Sequence, residues 1–256
     1  MTRTILAVVL ALGLAACGDW SPPAAAPVVP TTASPTSADP TTVAPTSAVP
    51  TTVPPTTATS ATTNPPTAAG RYAPTGMVDI TDFDASIIVS VGKATSDNVT
   101  GAPVAGYEAN RAFLPPDAAR ALAQVQRGLA SRNLGLKVWD AYRPVRATQA
   151  LVAWARSIGR SDLIGPYIAS VSYHNSGQAV DLTLVERATG RELDMGTGYD
   201  EFSPRANTAN ATGVAAANRA ILLEAMEAEG FESYSGEWWH FYYYMAGLPN
   251  LDEPVR

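Results

Sequence analysis

Between Trp20 and Gly70 the chain carries one charged residue, Asp39, and is otherwise built mainly of Pro, Thr, Ala, Ser and Val. Three imperfect decapeptides run in tandem there: TTASPTSADP from Thr31, TTVAPTSAVP from Thr41 and TTVPPTTATS from Thr51. They lack the large apolar side chains that stacked repeats bury against one another. Frequent Pro removes backbone donors and favours extended, polyproline-like chain. The stretch is therefore expected to be a tether, open to glycosylation on Thr and Ser, without a fold of its own. At about 3.1 Å per residue, roughly fifty such residues span about 150 Å. Folding is thereby confined to residues 71–256, one domain's worth of chain and long enough to bury a substantial core.

The N-terminus reads as an export signal. Arg3 supplies the positive end, and Ile5 to Leu14 form an uncharged apolar run that meets Leu14-Ala15-Ala16-Cys17. The run is shorter than the about 20 apolar residues a membrane-spanning helix needs. Leu-Ala-Ala-Cys resembles the lipobox of bacterial lipoproteins, in which cleavage leaves a lipidated Cys at the new terminus. The plainer alternative is a secretory signal with an incidental Cys, but Cys17 is the only cysteine and stands at the end of such a run. One thiol also excludes an internal disulfide. The expected organisation is a lipoprotein signal peptide (1–17), a tether (18–70) and a folded domain (71–256). That places the protein on the outer face of the cytoplasmic membrane or elsewhere on the envelope side, held by its lipid alone. The net charge is −6 with no basic cluster, so nucleic acid is not expected as a partner.

Periodicity organises the folded part. Residues 117–131 place Ala118, Leu122, Val125 and Leu129 at helical spacing. Residues 136–141 alternate as a strand, and residues 145–158 form a second helix with Pro144 near its start. In residues 178–185, Val180, Leu182 and Leu184 face one side of a strand, with Asp181 and Thr183 on the other. A third helix covers 214–229 before Gly230, and the aromatic run 238–244 is strongly β-prone. Helices and strands interleave without strict alternation, which predicts an α+β domain with a largely antiparallel sheet flanked by helices.

Only two histidines exist, and both lie in segments suited to chemistry: Ser172-Tyr173-His174-Asn175-Ser176-Gly177-Gln178-Ala179-Val180-Asp181 and Glu237-Trp238-Trp239-His240. Neutral imidazole is the commonest side-chain metal ligand. Two imidazoles and one carboxylate would give zinc three ligands and leave a fourth position for water. His174 on a turn and Asp181 entering a strand, with Gly177 between them, can converge on one ion. Taken alone, that pair is weak and reads more readily as a surface His and a capping Asp. Glu237 and His240 raise a tension, since residues of odd separation on a strand point to opposite faces. Glu237 is therefore expected at a strand end or bulge, with His240 in the ladder. The plainer reading of this segment is two core Trp residues beside an exposed edge charge. Arg143, in Asp140-Ala141-Tyr142-Arg143-Pro144, presents a permanent charge suited to a developing oxyanion. Spacing alone favours an ion pair with Asp140.

Asp140-Ala141-Tyr142-Arg143-Pro144, Ser172-x-His174-x-x-Gly177-x-Ala179-x-Asp181 and Glu237-Trp238-Trp239-His240, in that order, resemble the zinc D-alanyl-D-alanine dipeptidases. That group includes the vancomycin-resistance dipeptidase and belongs to the wider clan of zinc D,D-peptidases with a hedgehog-type fold. The resemblance runs over most of Ala85 to Tyr244 and includes Asn98 to Val104 and Leu193 to Phe202. It implies one Zn2+ per chain held by His174, Asp181 and His240, with Glu237 as catalytic base and Arg143 stabilising the transition state. By spacing more than by motif, it also implies that Asp200 receives the substrate's ammonium group and that Ser172 offers a hydroxyl to it. The implied reaction is hydrolysis of D-Ala-D-Ala or a related cell-wall peptide. The alternatives are a zinc D,D-carboxypeptidase acting on peptidoglycan stems and a non-catalytic wall-binding module on a stalk. A structural zinc site needs no free carboxylate and is closed by a fourth protein ligand, and no further His or Cys exists to close this one.

Overall fold

The computed structural model describes residues 72–256. The expected signal peptide with Cys17 and the expected tether lie outside the described residues. In chain order the described part forms β1 (Val78–Asp79), β2 (Ile88–Val89), β3 (Phe113–Leu114), α1 (Pro116–Leu129), β4 (Leu134–Asp140), α2 (Val145–Ser157), β5 (Ala179–Glu186), α3 (Gly213–Ala228), β6 (Glu232–Ser233) and β7 (His240–Tyr242). Five strands make one sheet in the order β2-β4-β5-β7-β6, and β1 pairs with β3 separately. Of the strand pairings among the described residues, β2–β4 is the one parallel pair, so the α+β class and the largely antiparallel sheet are as expected. No helix among the described residues is long and apolar enough to cross a membrane.

Helical spacing explains how the layers meet. α1 buries Ala118, Leu122, Val125 and Leu129 along one stripe and packs on β4 and α3. α3 buries Ala215, Leu222 and Met226 on its own stripe, together with Arg219. These stripes cover the sheet residues Leu136, Val138, Val180, Leu182 and Leu184, giving one continuous core with Trp239 and Phe241. Each large apolar side chain buried there contributes about 1.5–3 kcal/mol. A second core gathers Tyr142, Ala147, Leu151 and Ala155 around α2. Arg219 fixes the long loop after β5: its Nε donates to the Met195 carbonyl at 2.8 Å and a terminal nitrogen donates to the Asn207 carbonyl at 2.7 Å. That loop carries Asp200.

The aromatic run departs from expectation. The strand spans only His240–Tyr242, and Trp238 and Trp239 occupy a turn in which the His240 amide donates to the Glu237 carbonyl at 3.1 Å. Both indoles are buried in the same core, whereas successive strand residues face opposite sides. Turning the chain lets both enter that core and leaves Glu237 outside the strand, lining the same cleft as His240. The conflict between odd spacing and a shared face is resolved by the turn.

Candidate active site

Sheet register builds the site. Across β5 and β7, Asp181 stands directly opposite His240, and across β4 and β5 it stands opposite Asp140. Directly opposed residues of antiparallel strands present their side chains on one face. Asp140 reaches that face through an irregularity between Val138 and Asp140, where the pairing advances by one residue. Without this bulge Trp139 would oppose Asp181, because a one-residue slip exchanges the two faces. The row Asp140, Asp181, His240 therefore depends on a single extra residue.

His174 arrives from a short helical turn, Tyr173–Ser176, capped by Ser172, whose Oγ accepts from the His174 amide at 3.3 Å. The chain leaves that turn through Gly177 at φ 74, in the left-handed region that glycine enters most freely. A Cβ there would lie 2.7 Å from Met77 Cε, the end of a side chain that can shift, so it is chiefly the backbone that requires glycine. The carbonyl of Ala141 lies 2.6 Å from His174 Nδ1. A carbonyl only accepts, so Nδ1 carries the hydrogen and Nε2 turns its lone pair toward Asp181.

Three ligand atoms converge as a result. His174 Nε2 lies 3.3 Å from Asp181 Oδ1 and 3.3 Å from His240 Nδ1, which is 2.9 Å from Asp181 Oδ1. A tetrahedral ion with 2.0–2.1 Å bonds has ligand-to-ligand edges of about 3.3–3.4 Å. The triangle fits such an ion. His174, Asp181 and His240 are the group of metal-ligating type that the described residues bring together.

Charge balance points the same way. Asp140 is fully buried; burial alone would raise its carboxyl, but Lys93 and Arg143 outweigh that and hold it low. Burial likewise opposes ionisation of Asp181, yet His174 and His240 keep it well below the usual carboxylate range. Burial lowers His174, which favours its neutral, ligating form. The remaining two acids go the other way. Burial, then Asp181 and Asp200, push Glu237 well up. Burial also raises Asp200 despite Lys93 nearby. Four carboxyl groups thus face two cations, the buried Lys93 and the partly buried Arg143, and the two acids left over are the two driven toward neutrality. A divalent cation would let all four ionise.

A cleft of ≈ 380 Å³ is lined by His174, Asp181, His240, Glu237, Arg143, Asp200 and Ser172, so every anticipated site residue within the described chain meets there. Glu237 is 8% exposed rather than an exposed edge charge. Arg143 makes the ion pair that its spacing favours: its Nε and a terminal nitrogen donate to Asp140 Oδ2 at 2.9 and 2.8 Å, while the guanidinium borders the cleft and lies 3.6 Å from Asp181. Sequence reasoning passed over Lys93, Tyr107 and Tyr199. Tyr107 donates to Asp140 Oδ1 at 2.5 Å and Tyr199 donates to Asp181 Oδ2 at 2.8 Å. Lys93, only 2% exposed, sits in a polar stretch that reads as surface. Its one available signal was proximity to the Asn98 to Val104 segment.

Two imidazoles and a carboxylate on the floor of an open cleft, with a buried acid and a guanidinium beside them, form the framework of a metal-dependent hydrolase. The chain belongs to the Peptidase_M15 D-Ala-D-Ala dipeptidase family, whose model matches residues 74–253. It is 38% identical over 182 residues to a D-alanyl-D-alanine dipeptidase of Enterococcus faecium, covering 64% of this chain and 90% of that protein. It is 40% identical over 164 residues to one from Enterococcus faecalis, covering 58% and 81%, and 34% identical over 169 residues to one from Escherichia coli, covering 65% and 84%.

Proposed function

We propose that this protein hydrolyses the D-alanyl-D-alanine dipeptide at a single zinc site made by His174, Asp181 and His240. The observation that carries the reading is the 2.9–3.3 Å triangle of ligand atoms on the cleft floor. Zinc in such a site polarises the scissile carbonyl and brings the pKa of bound water to about 7. Glu237 accepts the proton of the attacking water and passes it to the leaving amine. For that it must start ionised. Burial beside two other acids opposes this, and a divalent charge held by the triangle would favour the ionised form. Arg143, locked on Asp140, holds its guanidinium toward the oxygen that becomes negative. Asp200 receives the free ammonium of the dipeptide, and Ser172 offers its hydroxyl to the substrate.

Export and lipid anchoring through Cys17 belong to the same proposal, supported by the Leu14-Ala15-Ala16-Cys17 sequence and the long Pro/Thr-rich stretch after it. An outward enzyme would meet dipeptides released from the wall. Assays of the zinc-loaded protein on free D-Ala-D-Ala and on its N-acetylated form test the substrate. Cleavage of the free dipeptide is expected. Cleavage of the acylated compound alone would make the protein a D,D-carboxypeptidase and remove the ammonium role of Asp200. Cleavage of neither would leave a wall-binding module. For the anchor, Cys17→Ser is expected to move the protein from the membrane fraction to the soluble fraction, and unchanged fractionation would exclude it.

A further inference from the structure

The two oxygens of Asp181 have different surroundings. Oδ1 faces His240 Nδ1 and His174 Nε2, whereas Oδ2 accepts the Tyr199 hydroxyl at 2.8 Å. The direction of that last bond is forced. Lys93 Nζ lies 2.6 Å from the same hydroxyl oxygen, and an ammonium has no lone pair, so the tyrosine oxygen accepts from Lys93. Its own hydrogen is then committed to Asp181. Lys93, only 2% exposed, is fixed in turn by Asp140 Oδ2 at 3.3 Å and Asp200 Oδ2 at 3.7 Å. The tyrosine ring cannot swing: it stacks on Trp139 at 4.7 Å and 16°, and Trp239 meets it edge-on at 5.7 Å.

We propose that Tyr199, steadied by Lys93, is a positioning residue that orients the Asp181 carboxylate and reserves Oδ1 for the cation. The inference rests on the metal reading of the triangle. It adds a chain Lys93–Tyr199–Asp181 that starts some eighty-eight residues before the ligand it serves and tethers the same ammonium to both Asp140 and Asp200. Partners of metal ligands typically alter metal affinity or activity by about 10–100-fold when removed.

Zinc affinity, measured on the full protein by competition with a chromophoric chelator, tests this without reference to hydrolysis. Tyr199→Phe keeps the stacked ring and removes only the hydroxyl; it is expected to weaken zinc binding by about 10–100-fold. Lys93→Met is expected to move affinity in the same direction, and it keeps the proposal open to refutation should Tyr199→Phe fail to fold. Ile80→Val, a core truncation outside the cleft, controls for general loosening and is expected to stay within about threefold of the parent. Parent-like affinity in Tyr199→Phe or Lys93→Met, or an equal loss in Ile80→Val, would overturn the positioning role while leaving the metal site intact. A parent protein that holds no zinc would overturn the metal reading and this inference together.

Discussion

Glu237→Gln separates the base from the fold more cleanly than any other change. Glutamine keeps the shape of the side chain and resembles its protonated form, which burial beside Asp181 and Asp200 favours when no cation is bound. The sign in the metal-free protein follows directly. A carboxyl raised in the folded state favours folding fully below its unfolded value of about 4.3, and this contribution is lost as pH rises through the folded value. Each tenfold displacement of that proton equilibrium is worth about 1.4 kcal/mol. Metal-free Glu237→Gln escapes the loss, so its melting temperature should gain on that of the metal-free parent as pH rises from the unfolded carboxyl value upward. Turnover moves the opposite way: removal of a general base costs on the order of 10²–10⁴. Calorimetric melts of chelator-treated proteins from pH 5 to 9, with dipeptide hydrolysis and zinc content on the loaded forms, read both effects. Turnover within tenfold of the parent, with zinc retained, would remove Glu237 from the chemistry.

Arg143→Lys keeps the charge but not the fork that meets Asp140 Oδ2 through two nitrogens, so kcat should fall by about 10²–10³ with zinc affinity little changed; parent-like kcat would refute the oxyanion role. Gly177→Ala forces a Cβ to within 2.7 Å of Met77 Cε at φ 74, and chemical denaturation should show a loss of about 1–3 kcal/mol together with weaker zinc binding, because the same turn carries His174. Zinc at a hundred times its Kd should stabilise the domain by about 2.7 kcal/mol. For a domain of this size that raises the melting temperature by roughly 5–11 °C, and an unchanged melt on chelation would contradict a loaded site.

The helices and the two long strands were legible because their signals are local. The stripe Ala118, Leu122, Val125, Leu129 and the alternation Val180, Leu182, Leu184 each follow from one period. The site was legible for a different reason: two histidines and three short motifs leave few ways to assemble a ligand set. Length of the aromatic strand was not legible, since β-propensity cannot register that Trp238 and Trp239 must reach the same core. The bulge that carries Asp140 onto the Asp181 face was also hidden, because it is a property of strand pairing across forty residues of sequence. Lys93 and Tyr199 gave the least warning. A lysine in a polar stretch reads as solvent-exposed, and only the fold shows that its ammonium is enclosed by Asp140, Tyr199 and Asp200.

X-ray absorption at the zinc edge on the loaded parent protein, beside elemental analysis of His174→Ala and His240→Ala, addresses the metal centre most directly. One zinc per chain is expected, with two imidazole nitrogens and carboxylate and water oxygens at about 2.0–2.2 Å, and either alanine variant should lose the metal. Sulfur in the coordination shell, an all-oxygen shell, or full zinc retention in either variant would contradict the account.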